Sequence, residues 1–132
     1  MRAIKNIRLK DYDYSSDGFY FITICTNYRK PYLTGKTKEM VAQFIEQLPH
    51  RISGVKLDYC RIMPSHVHLI LALEGCQLKL SEIVRRLKAV TARQIRFRLW
   101  QPNYYEHVIR DDKALAKVRE YIQNNPLVER LL

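Results

Sequence analysis

The residues best suited to chemistry stand two positions apart, in His66-Val67-His68. On a β-strand, alternation sends both imidazoles to one face, roughly 7 Å apart at Cα. That separation lets two ring nitrogens converge on one cation, although a pair of strand histidines without a ligand has the same spacing. A second pair, Tyr121 and Asn125, is spaced i, i+4 and shares one side of a helix. Tyr121 lies at the margin of an apolar stripe, Leu115, Val118 and Ile122. Its phenol could simply pack there with a wet hydroxyl, or act as a nucleophile whose proton is lost more readily beside a metal. Asn125 could offer a carbonyl oxygen as a third ligand, or be an ordinary helix-terminal residue before Pro126.

A third feature is electrostatic. The 132 residues hold 23 Lys plus Arg against 13 Asp plus Glu, a net charge of +10 that attracts polyanions. Ser81 to Arg98 reads as a helix with six basic residues and one acid, Glu82. Arg85, Lys88 and Arg96 fall along its outer stripe with Arg86 and Arg93 beside them, which suits phosphate contact or a solvated face. Two histidines, a helix tyrosine and strong positive charge combine into one chemistry: a cation polarises a phosphodiester while a tyrosine attacks phosphorus. His107 reads as a satisfied core histidine and His50, beside Pro49, as a surface residue.

These groups need a scaffold. Hydrophobic residues at 47% and charged residues at 27% describe one folded domain over 1–132 and exclude disorder. Gly18 to Thr26 reads as a buried strand rich in β-branched and aromatic residues. Thr37 caps a helix with Met40, Val41, Phe44, Ile45 and Leu48 inward, stopped by Pro49. Val55 to Met63 and His66 to Leu73 are antiparallel strands joined at Pro64-Ser65. The Ser81 helix follows, with Ile83, Val84, Leu87, Val90 and Ile95 inward. Then come a short strand, Tyr104 to Ile109, and a last helix opened by Asp111 and Asp112 and ended by Pro126. Strand, helix, strand, strand, helix, strand is the ferredoxin-like split β-α-β order: an α+β fold with an antiparallel sheet and two helices on one face. The other face is left for a ligand or for the extra C-terminal helix.

The longest apolar run, Leu69 to Leu73, is far too short to span a bilayer, and no apolar stretch follows the basic amino terminus. Cys25, Cys60 and Cys76 are odd in number and include no C-x-x-C pair, so a reducing cytoplasm with no membrane partner is expected.

Four segments, in order, carry a family likeness: Phe21 to Thr26, Met63 to Ile70, Trp100-Gln101 with Tyr104 to Arg110, and Tyr121 to Pro126. Together they resemble the single-tyrosine transposases of the HUH endonuclease superfamily, above all the bacterial REP-associated tyrosine transposases. The resemblance spans about residues 18 to 126. It implies that His66 and His68 are metal ligands, with Asn125 where relatives place a third polar ligand, often Gln in the insertion-sequence branch. It implies Mg²⁺ or Mn²⁺, of which Mn²⁺ suits imidazole at least as well. It implies that Tyr121 cuts single-stranded DNA near a hairpin, giving a 5′-phosphotyrosine link and a free 3′-hydroxyl, with rejoining that needs no ATP. Arg29, Lys30 and the basic helix are then expected on the DNA backbone, exposed tyrosines as stacking platforms, and the protein at the bacterial nucleoid.

Two departures stand out: Ser65 replaces a frequent Asn, and only Leu127 to Leu132 follow Pro126 where many relatives have a longer tail. Relatives act as monomers or as dimers that exchange the tyrosine helix, so a homodimer and a monomer both fit. Two other classes compete. One is a non-catalytic, domesticated single-stranded nucleic-acid-binding module on the same fold; the other is a replication initiator nuclease with the same chemistry. Against an RRM-type module, the third strand carries histidines where stacking rings would be wanted, and there is no RNP-type octamer.

Overall fold

The computed structural model describes residues 17–124. Four strands, β1 (Gly18–Cys25), β2 (Val55–Met63), β3 (His66–Leu73) and β4 (Tyr105–Ile109), form one antiparallel sheet in the order β2-β3-β1-β4. Helices α1 (Gly35–Arg51) and α2 (Leu80–Arg93) connect β1 to β2 and β3 to β4, the split β-α-β arrangement. A third helix, α3 (Asp112–Asn124), follows β4.

Alternation divides the sheet cleanly. Ile22, Ile24, Val67, Leu69, Leu71 and Leu73 face one way and pack against Val41, Phe44, Ile45 and Leu48 of α1 and Ile83, Val84 and Leu87 of α2. The opposite face carries Phe19, Phe21, Tyr59, Ile70 and Ile109, covered by Leu115, Val118 and Ile122 of α3. The extra helix therefore takes the face that the two connecting helices leave open. Asp111 fixes its start: its Oδ1 accepts the Ala114 N–H at 2.7 Å, a side-chain cap on a positive helix end.

Several boundaries differ from the sequence reading. The first helix starts at Gly35 with Thr34, not Thr37, in the cap position, and it runs through Pro49 to Arg51. Pro49 sits in the last turn, where the lost N–H matters less than burying Leu48, and the Ile52 N–H still reaches the Leu48 carbonyl at 2.9 Å. The second helix stops at Arg93, five residues short of Arg98, so Arg96 lies beyond the helical stripe. Tertiary packing ends it. Leu99 and Trp100 are buried, Thr26 bridges to Trp100, and the Trp100 indole N–H donates to Thr91 Oγ1 at 2.9 Å. His107, expected in the core, is exposed on edge strand β4 opposite Phe21, on the face that α3 covers in part.

Candidate active site

His66 and His68 project from β3 onto the α3 side of the sheet, while Val67 and Leu69 enter the core between. Both imidazoles are buried, at 0% and 1% exposure, with ring centroids 4.6 Å apart in an edge-on arrangement. Each Nδ1 meets a hydroxyl: Thr23 Oγ1 lies 2.9 Å from that of His68, and Ser65 Oγ lies 3.3 Å from that of His66. Thr23 is in place because the β1–β3 register sets it opposite His68. An Nδ1–H donated to Thr23 leaves the lone pair of His68 on Nε2, a buried nitrogen with no hydrogen-bond partner among the described residues. The Nε2 of His66 is buried as well.

Electrostatics keep that lone pair available. Burial first, then the positive fields of His66, Arg61 and Arg29, pushes the His68 pKa down to about 3, so the ring is neutral at ordinary pH. A buried, neutral imidazole with an unused nitrogen beside a second imidazole fits a divalent metal. Among the described residues no third His, Cys, Asp or Glu joins them. Asn125, the expected third ligand, lies outside the described residues.

Tyr121 stands on α3, 37% exposed at the edge of the apolar stripe, and α3 is fastened next to the histidines. Arg61, the cross-strand neighbour of His68, donates from Nη1 to the carbonyls of Ile122 and Gln123, both at 2.9 Å. The phenol is thus carried by the turn of helix that docks beside the imidazole pair.

The basic residues separate into two groups. Arg29 and Lys30 lie in a tight turn after β1, where Tyr28 and Arg29 both adopt left-handed backbone, with φ of 55° and 53°. Such conformations cost non-glycine residues about 1–2 kcal/mol each and tend to persist at functional sites. Thr26 ties this turn to the histidine strand, its N–H donating to the Ser65 carbonyl at 2.9 Å. Tyr28 is left 84% exposed beside it. By contrast, Arg85, Arg86 and Arg93 stand on α2, across the sheet from the imidazoles. Arg85 and Arg86 share Glu82, at 2.9 and 3.0 Å, and Arg93 Nε reaches back to the Ala89 carbonyl. Lys88 braces the chain after α2, its three ammonium donors meeting the carbonyls of Gln101, Pro102 and Asn103 at 2.8, 3.2 and 2.9 Å. Thr23 and Arg61 are site residues that motif reading does not reach, since only strand pairing brings them to His68.

The chain is thus an α+β protein: a split β-α-β sheet with an H-x-H strand, and a tyrosine-bearing helix laid over that face. The family model of IS200-like transposases matches residues 15–125, and the chain belongs to that family. An uncharacterised Haemophilus influenzae protein is 34% identical over 94% of this chain and 88% of its own. A second protein of that organism, named as a candidate REP-associated tyrosine transposase, is 30% identical over 87% of this chain and 73% of its own. Among solved structures, a REP-associated tyrosine transposase bound to a REP hairpin superposes with a TM-score of 0.74 at 26% identity, over 93% of this chain and 74% of that one. A candidate transposase of Deinococcus radiodurans shares the fold, with a TM-score of 0.61 at 22% identity, over 89% of this chain and 96% of that one. Among the described residues, no helix is long and apolar enough to cross a membrane.

Proposed function

We propose that this transposase is a metal-dependent single-stranded DNA endonuclease and strand transferase that acts beside DNA hairpins, with Tyr121 as its nucleophile. The observation that carries this is the buried His66–His68 pair, whose second ring is neutral, aligned by Thr23 and left with an unused Nε2. Nothing in a purely nucleic-acid-binding module calls for so costly an arrangement. The REP-hairpin complex of a structural relative supports a hairpin-bearing strand as substrate.

His66 and His68 would hold the ion, Mg²⁺ or Mn²⁺, with Asn125 as the expected third ligand. When bound, it supplies charge stabilisation at the phosphodiester. The phenol oxygen of Tyr121 attacks phosphorus and gives up its proton. The P–O3′ bond breaks, and the departing oxygen takes up a proton to become a free 3′-hydroxyl. The 5′-phosphate stays on tyrosine, and the reverse attack by a 3′-hydroxyl rejoins a strand without ATP. Arg29 and Lys30, on the turn tied to the histidine strand, would hold the strand near the cut. Arg85, Arg86 and Arg93, across the sheet, would serve DNA running over the helical layer.

Incubating a hairpin-bearing single strand with the protein and Mn²⁺, then resolving the products under denaturing conditions, tests this directly. The expected result is a covalent adduct that disappears with a chelator while hairpin binding persists, because phosphate contacts supply most of the affinity. Binding with no adduct in any divalent metal would favour the non-catalytic reading.

A further inference from the structure

Strand β2 contains one residue more than its partner accommodates. It pairs with β3 as Val55↔Leu73, Lys56↔Ala72 and Leu57↔Leu71, then resumes as Tyr59↔Ile70, Cys60↔Leu69 and Arg61↔His68, which leaves Asp58 unmatched. Side chains alternate along a strand, so an uninterrupted β2 would turn Tyr59 and Arg61 toward the core face with Val55 and Leu57. The inserted residue reverses that. Leu57, Cys60 and Ile62 pack against the main core, while Tyr59 joins Ile70 and Ile122 on the other face. Arg61 comes to stand level with His68 on the imidazole face.

Both residues then reach α3. Asp58 accepts Arg119 Nε at 2.8 Å and pairs its second oxygen with the same guanidinium. Arg61 donates to the Ile122 and Gln123 carbonyls, in the last described turn of α3. A guanidinium donating to two helix carbonyls is a charge-assisted clamp. The apolar contact it supplements is small, with Leu115 and Ile122 the only buried side chains among the described residues of α3. The 13 described residues of α3 would by themselves be only marginally helical in water.

We infer that the β2 bulge builds a latch in which Asp58 and Arg61 hold the Tyr121 helix against its own subunit's sheet, making Arg61 a positioning residue for the transfer reaction. The catalytic half of this rests on the reading of Tyr121 as nucleophile; the docking half does not. Arg61 acts through α3, so its removal should slow the chemical step and spare recognition of the strand.

Four variants of the full chain test it: Arg61→Ala, Arg61→Lys, Asp58→Ala, and the exchange Asp58→Arg with Arg119→Asp. Hydrogen exchange over residues 112–124 should quicken by about tenfold in Arg61→Ala, with the sheet unchanged. Adduct formation with Mn²⁺ should lose about 10²-fold in kcat, with KM and hairpin affinity nearly constant. Arg61→Lys should recover part of both. The exchanged pair should restore the protection that Asp58→Ala loses, and this arm stands even if Arg61→Ala fails to fold. Unaltered exchange in α3 in the variants that fold would overturn the latch. A rise in KM at constant kcat would overturn the positioning role, since it marks direct contact with the strand. If the wild-type chain forms no adduct, the nucleophile reading fails while exchange still decides the docking claim.

Discussion

Thr23 Oγ1 and His68 Nδ1 lie 2.9 Å apart in the buried interior of neighbouring strands β1 and β3. With Nδ1–H donating to that hydroxyl, the nitrogen of His68 left with a lone pair is Nε2. Partners of this kind are worth about 10–100-fold in metal affinity. Thr23→Val, which keeps the shape but not the oxygen, should weaken Mn²⁺ binding by that order, as measured by calorimetry. Thr23→Ser should retain most of it. Equal affinity for Thr23→Val and wild type would show that the hydroxyl does not set the tautomer.

Arg61 and Arg29 place positive charge near His68, and the described residues contribute no carboxylate to the imidazole pair. An imidazole pair among guanidinium groups holds a cation weakly by itself; a phosphodiester would supply the missing negative charge. Mn²⁺ should therefore bind at least tenfold more tightly when a hairpin strand is present, a modest coupling for charges in direct contact. The same titration with uncharged-backbone DNA should lose most of that coupling. Identical affinity with and without DNA would contradict the electrostatic picture.

Burial and positive neighbours hold the His68 pKa down to about 3 in the folded chain, against 6.5 for a free histidine. Between those values the unfolded chain binds a proton that the folded one refuses, so folding weakens as pH falls. The contribution of this neutral ring is complete above about pH 6.5 and drains away toward pH 3. Denaturant midpoints should fall steadily over that window, and less steeply in His68→Gln. Parallel slopes for the two proteins would exclude the histidine as the source.

Trp100 closes the end of α2 through its indole N–H on Thr91 Oγ1, while that hydroxyl donates to the Leu87 carbonyl at 2.7 Å. Trp100→Phe removes a buried donor and leaves a gap. It should cost about 2 kcal/mol or more of stability by circular dichroism in denaturant. A change below about 0.5 kcal/mol, the range of ordinary surface substitutions, would mean the contact does not anchor the helix end.

What was legible in the sequence follows periodicity. His66-Val67-His68 alternates between the two sheet faces, and Leu115, Val118 and Ile122 form a helical stripe, so both elements and the margin position of Tyr121 could be read directly. The extension of α2 to Arg98 could not be corrected from pattern, because Ile95 keeps the helical period and only the burial of Leu99 and Trp100 ends it. The roles of Thr23 and Arg61 depend on register. Val55, Leu57, Tyr59 and Arg61 read as one alternating set, and the residue that breaks it, Asp58, carries no local signature of a bulge. His107 failed for a related reason: β4 is an edge strand, and edge position is a property of the sheet rather than of the segment.

In the proposed reaction one phenol, carried by α3, takes the phosphate from the strand. Mass spectrometry of peptides from the Mn²⁺-dependent DNA adduct tests it most directly. The prediction is a nucleotide mass on the peptide containing Tyr121, and none from Tyr121→Phe, which should still bind the hairpin. An adduct of normal yield from Tyr121→Phe, or a modified residue elsewhere in the wild-type chain, would contradict it.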